Sequence, residues 1–124
     1  GVGVIPWSPL ARGILSGTRA KLDDKESTAR AGSDSFTDIL YNESTDWNVV
    51  EALIEVAKAR SEKPAKVALA WLLHKPGVTA PIVGATKMAH LEDAIAAVDV
   101  KLSKEEIEAL EAPYCAHPVK GMYS

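Results

Sequence analysis

Cysteine occurs once, at Cys115, so no internal disulfide can brace the fold. A single thiol suits a reducing cytosol, and a cytoplasmic location is expected. Positive charge is not in excess: 14 Lys and Arg stand against 17 Asp and Glu, for a net charge of -3. Such a balance offers no electrostatic footprint for nucleic acid or an anionic membrane. Apolar runs are too short for a bilayer, so no membrane insertion is expected. The patterns GxSxG, HExxH, Walker A and GxGxxG are absent. His74, His90 and His117 have no metal-ligand spacing, and Cys115 has no second cysteine to join it. The acidic runs LDDKE and SKEEIEALE read as solvated faces, and no acid/base pair stands out.

What is present is an alternation of apolar segments and helical periods. The opening GVGVIPW is an apolar run of the kind that forms a strand buried on both faces, closed by Pro6. VTAPIVG at 78–84 repeats it, although Pro81 removes a ladder donor. Between them, residues 8–45 are rich in Ser, Gly, Asp and Thr and lack a period, which predicts a long functional loop. A helix pair is expected over 46–75. Val49, Val50, Leu53, Ile54, Val56 and Ala57 fall at helical spacing behind an Asn48 cap with Glu51, and the second helix starts at Pro64. Residues 87–98 predict a helix with Leu91, Ala94, Ile95 and Val98 on one stripe. Ser103 and Glu106 form a capping box for a last helix over 103–111, and 112–124 is a tail.

Strand, helix pair, strand and helix predict an α/β fold with a parallel sheet. Two strands cannot sustain such a sheet alone, so the pattern predicts a piece of a larger α/β body. The start at Gly1, inside a strand, predicts sequence ahead of it. A lone chain with two open strand edges would associate with copies of itself, as a homo-oligomer or an aggregate.

In α/β architectures ligands bind at the carboxyl ends of strands. The first strand delivers Trp7-Ser8-Pro9-Leu10-Ala11-Arg12-Gly13, and the second delivers Gly84-Ala85-Thr86-Lys87. Ser8 and Thr86 bring hydroxyls, the glycines allow close backbone approach, and Arg12, Arg30 and Lys87 bring charge. Thr86 could cap a helix whose N-terminus favours an anion. The plain alternatives stay open: Ser8-Pro9 as an ordinary turn, Thr86 as a cap only, Trp7 as core, and the cations as solvated surface.

GVGVIPWSPLARGILSG, followed by APIVGATKMAHLEDAI and the ending LEAPYCAHPVKG, resembles the aldo-keto reductase superfamily. The likeness is strongest to the branch with potassium-channel β subunits and bacterial and fungal reductases. That family folds as a (β/α)8 TIM barrel and reduces carbonyls with NADPH, without a metal. The resemblance implies that this chain is the C-terminal part of such a barrel. It would hold strands 7 (1–7) and 8 (78–84) with their helices, the cofactor loop (8–45), a C-terminal helix and the tail. A barrel of about 250 residues then implies a missing N-terminal part.

The resemblance also implies roles. Trp7 would stack on the nicotinamide. Ser8, Pro9, Leu10, Ala11 and Gly13 would wrap the pyrophosphate, with Gly17 and Arg30 in the loop that closes over the cofactor. Gly84, Ala85 and Thr86 would hold the adenosine 2′-phosphate beside Lys87 and His90, favouring NADP(H). Asp93 stands where relatives often carry Glu facing the adenine, and Ala94 replaces a common Asn. The family's catalytic Asp, Tyr, Lys and His lie on earlier strands, so no catalytic residue is assigned to this chain. The implied function is reduction of a small-molecule aldehyde or ketone in the intact barrel, with the cofactor-binding half supplied here. The alternatives are an NADPH-binding sensory subunit with slow turnover and an inactive fragment.

Overall fold

The computed structural model describes residues 1–18, 35–41, 44–118 and 120. Five α-helices run through the described residues: α1 (Ser35–Leu40), α2 (Ser44–Ala59), α3 (Pro64–Leu73), α4 (Met88–Ala96) and α5 (Lys104–Glu111). Short 3-10 turns occupy Ala11–Ser16 and Ala97–Asp99.

No regular strand forms among the described residues, contrary to the expectation at 1–7 and 78–84. The two segments instead lie parallel and meet at two isolated bridges, Val4 with Val78 and Trp7 with Ile82. The Val4 N–H donates to Gly77 O (2.9 Å), the Thr79 N–H to Val4 O (2.8 Å) and the Ile82 N–H to Pro6 O (2.8 Å). From one bridge to the next the first segment advances three residues and the second four. That extra residue acts as a bulge, and Pro6 and Pro81 lie inside the interval without N–H groups. Slipped register and missing donors reduce the ladder to bridges. The approach is close at Gly3, where a Cβ would overlap Thr79 Oγ1.

Three other expectations change. The stretch 8–45 is not all loop, since it contains the turns of Ala11–Ser16 and helix α1. The spacing of Phe36, Ile39 and Leu40 was the available signal, too short to stand out among polar neighbours. Helix α2 starts at Ser44, so Asn48 lies inside it rather than capping it. The apolar period begins only at Val49, whereas Ser44, Thr45 and Asp46 supply a polar first turn ahead of it. Over 87–98, α4 ends at Ala96 and tightens into 3-10 geometry.

The core lies between α2, α3 and α5. Leu53 and Ala57 from α2 meet Val67, Ala68 and Ala70 from α3 and Leu110 from α5, with Val100 and Leu102 closing the end. Small residues on α3 let the helices approach closely, and Val67 and Ala70 are fully buried. Gly17, in the left-handed region at φ 75, ends the first 3-10 turns. A Cβ there would press on Pro64 Cγ at 3.0 Å, so its absence seats the turn against the start of α3.

Polar clips tie α5 to this core. Ser103 Oγ accepts from the Glu106 N–H, and Glu106 accepts from the Ser103 N–H in return, closing the capping box. Arg60 Nη1 donates to both oxygens of Glu106, at 2.8 and 2.7 Å. Glu111 accepts from Trp71 Nε1 at 2.9 Å and from Lys75, whose ammonium lies 4.8 Å from the Trp71 ring centroid. In the tail, His117 Nε2 stands 3.4 Å from Asp46 Oδ1 in the first turn of α2.

The Arg60 hydrogen bond, with the Ser103 backbone donor behind it, lowers the Glu106 carboxyl below its ordinary pKa. A group lowered on folding stabilises the fold above its unfolded pKa and loses that contribution as pH falls through its folded pKa. Glu106→Gln should therefore cost about 1 kcal/mol at neutral pH, a Tm drop of roughly 3–6 °C, through loss of a charge-assisted bond. Thermal unfolding in acid, with Glu106 protonated, should show the two proteins converging. A constant gap across pH would mean that the carboxylate charge contributes nothing.

Candidate functional site

The bridge between Trp7 and Ile82 brings two chain segments out side by side. Both run parallel, so Ser8–Gly13 and Val83–Lys87 leave from the same carboxyl end. Trp7 is 63% exposed, so its indole is available as a flat platform rather than spent in a core.

The backbone after Trp7 is unusual. Ser8, Ala11 and Arg12 adopt positive φ of 48, 47 and 55, and Gly13 has φ 99. Left-handed conformations in three non-glycine residues within five positions are costly. Successive backbone N–H groups in mixed right- and left-handed conformations form concave nests for anions. Part of the turn is closed internally: Ala11 N–H donates to Ser8 O, Gly13 N–H to Leu10 O and Leu15 N–H to Leu10 O. Ile14 and Leu15 anchor the turn, Ile14 buried and Leu15 packed on the main core.

Opposite, residues 84–90 are exposed throughout. The cap of α4 is Lys87, in extended conformation, and no side chain accepts a cap hydrogen bond. This corrects the expectation of Thr86 as the cap. The helix begins at Met88, which leaves Thr86 one position too early for its hydroxyl to reach the first-turn donors. The first-turn N–H groups of α4 are therefore without a side-chain cap, and Lys87 and His90 stand beside them. Asp93, one turn after His90, is engaged by Lys63 at 2.9 and 2.7 Å. Sequence reasoning missed Lys63. It lies thirty residues from Asp93, and no local pattern joins them. Ala94 is half-buried. Arg30 lies outside the described residues.

A second feature that the sequence did not single out is Tyr41. Burial raises its phenol above the ordinary value, the Arg12 guanidinium pulls it back and Asp46 pushes it up again. Tyr41 and Asp46 therefore share an electrostatic environment with the Arg12 turn. Among the described residues no group of three His, Cys, Asp or Glu could hold a metal ion, and no helix is long and apolar enough to cross a membrane.

A strained turn of backbone donors, an uncapped helix start beside Lys87 and His90, and an exposed indole lie at one end of the paired segments. The profile of the aldo/keto reductase family matches residues 1–114. The chain belongs to this family. The fold that the aldo-keto reductase family implies is a (β/α)8 barrel.

Relatives of this aldo-keto reductase chain agree. A Schizosaccharomyces pombe protein named "Putative aryl-alcohol dehydrogenase" is 46% identical over 121 residues, covering 98% of this chain and 33% of the relative. The versiconal hemiacetal acetate reductase of Aspergillus parasiticus is 38% identical over 117 residues, 92% of this chain and 33% of its own. An aldo-keto reductase of Fusarium vanettenii is 37% identical over 123 residues, 98% of this chain and 32% of its own. The chain spans about a third of the length of the curated relatives it matches.

The strained turn gives a test of the site's geometry. Ala11→Val places a β-branched side chain at φ 47 and should destabilise the fold by about 1–2 kcal/mol. Denaturant unfolding checks this. A loss within about 0.5 kcal/mol, the usual range for a neutral surface change, would mean that residue 11 does not hold the left-handed conformation.

Proposed function

We propose that this chain is the C-terminal, cofactor-binding part of an NADPH-dependent aldo-keto reductase that converts aldehydes and ketones to alcohols. Residues 1–7 and 78–84 take the seventh and eighth strand positions of the barrel, and the connection between them, which includes the Ala11–Ser16 turns and α1, serves the cofactor. The observation that carries the reading is the common exit of Ser8–Gly13 and Val83–Lys87 beside the Trp7–Ile82 bridge. Exposed apolar side chains support it. Val2, Val4 and Ile5 on the first segment, Met88, Leu91 and Ile95 on α4, and Val98 in the 3-10 turn after it, lie open at 44–92%. Such surface is covered by further barrel when the missing N-terminal part is present.

The residues fit the cofactor by their chemistry. The left-handed turn from Ser8 to Gly13 offers backbone donors to a pyrophosphate, with the Ser8 hydroxyl beside them. The uncapped start of α4, with Thr86, Lys87 and His90, suits a terminal phosphate, with Gly84 and Ala85 allowing close approach. Trp7 offers an aromatic face against which a nicotinamide ring is held flat. When bound, NADPH supplies the hydride for carbonyl reduction. The part of these residues is to bind, to orient the ring and to exclude water. Gly17 and Arg30 help retain the bound cofactor, Arg30 through its charge on the phosphates. Proton donation falls to residues outside this chain. The protein works in the cytoplasm on a small carbonyl compound.

Two substitutions in the full-length protein test the assignment by fluorescence titration. His90→Glu should weaken NADPH more than NADH, by about tenfold, as one repelling charge replaces an attracting group at the phosphate. Equal losses would remove His90 from the phosphate. Arg30→Ala should speed NADPH release several-fold, and an unchanged dissociation rate would remove Arg30 from the site. Failure of the full-length protein to bind either nucleotide would overturn the cofactor reading itself.

A further inference from the structure

Lys63 is the cap residue of α3 and reaches across to α4, where its ammonium meets both oxygens of Asp93. The two side chains are 62% and 20% exposed. A pair that open to solvent contributes little to folding. Its effect on the neighbouring field is larger in consequence. Asp93 lies five residues past the start of α4, about 7.5 Å along the axis at 1.5 Å per residue. That is within a Debye length of the uncapped N–H groups, Lys87 and His90. An uncovered carboxylate there would repel any dianion seated at the helix start. The adjacent Glu62 does not compete for Lys63, because it is paired with Lys66 at 3.1 Å. Glu92, exposed and about 100° around the helix from Asp93, leaves this side to the Lys63–Asp93 pair.

We propose that Lys63 is a specificity-determining positioning residue: by neutralising Asp93 it makes the start of α4 tolerate a terminal phosphate dianion, and so selects NADPH over NADH. Lys63 touches no part of the nucleotide and acts through Asp93. The inference rests on the nucleotide-binding reading above.

The test is fluorescence titration of the full-length protein with NADPH and with NADH, in wild type, Lys63→Gln, Lys63→Arg and the double variant Lys63→Gln/Asp93→Asn. One unit charge facing a dianion about 8 Å away in water is worth roughly fivefold. Lys63→Gln should therefore weaken NADPH about fivefold and NADH less than twofold, and the gap should narrow as salt is raised. Lys63→Arg should keep the wild-type ratio. The double variant, which has the wild-type net charge, should recover it. Equal weakening of both nucleotides, no change in their ratio, or no recovery in the double variant would overturn the role of Lys63. These outcomes leave the nucleotide reading standing. A wild-type protein that binds neither nucleotide overturns that reading, and this inference with it.

Discussion

Backbone hydrogen bonds from Val4, Thr79 and Ile82 to Gly77, Val4 and Pro6 hold the two apolar segments side by side and parallel. Everything of chemical interest depends on that pairing. Because the segments run in the same direction, their following loops emerge at one end. A turn with left-handed residues and a helix start that lacks a side-chain cap then follow from the same end of the pairing. Antiparallel pairing of the same segments would send the two loops to opposite ends and leave no shared site.

The helices supply a platform for this pairing rather than chemistry. Core burial among α2, α3 and α5 is dense, whereas α4 has no buried residue of its own. α4 is held by its contact with α3 and by the 3-10 turn after it. Gly17 presses the strained turn onto the start of α3, so both halves of the site refer back to that helix. A helix with both segments tied to its N-terminal end holds them at a fixed place relative to each other.

The likeness to aldo-keto reductases covers nearly all of this chain and about a third of its relatives. Apolar side chains on the paired segments and on α4 are left facing outward, and a two-segment pairing broken by a bulge and two prolines cannot cover them. A sheet gains stability only when more strands flank it.

The sequence by itself determined the local features. The capping box at Ser103 and Glu106, the Pro64 start of α3 and the apolar face of α2 were legible because each depends on residues within a turn or two. The motif segments around Trp7-Ser8-Pro9 and Gly84-Ala85-Thr86 were also legible, as short runs of unusual chemistry. Tertiary structure alone decided the rest. Strand pairing is a non-local interaction, so the slip between Val4–Val78 and Trp7–Ile82 had no local signature. The start of α4 was displaced past Thr86 by one residue, a shift that local propensity does not resolve. The ion pair of Lys63 with Asp93, and the pull of the Arg12 and Asp46 charges on Tyr41, arise only when separate elements pack together. Charge acts through space, and the sequence gives the charges but not the distances.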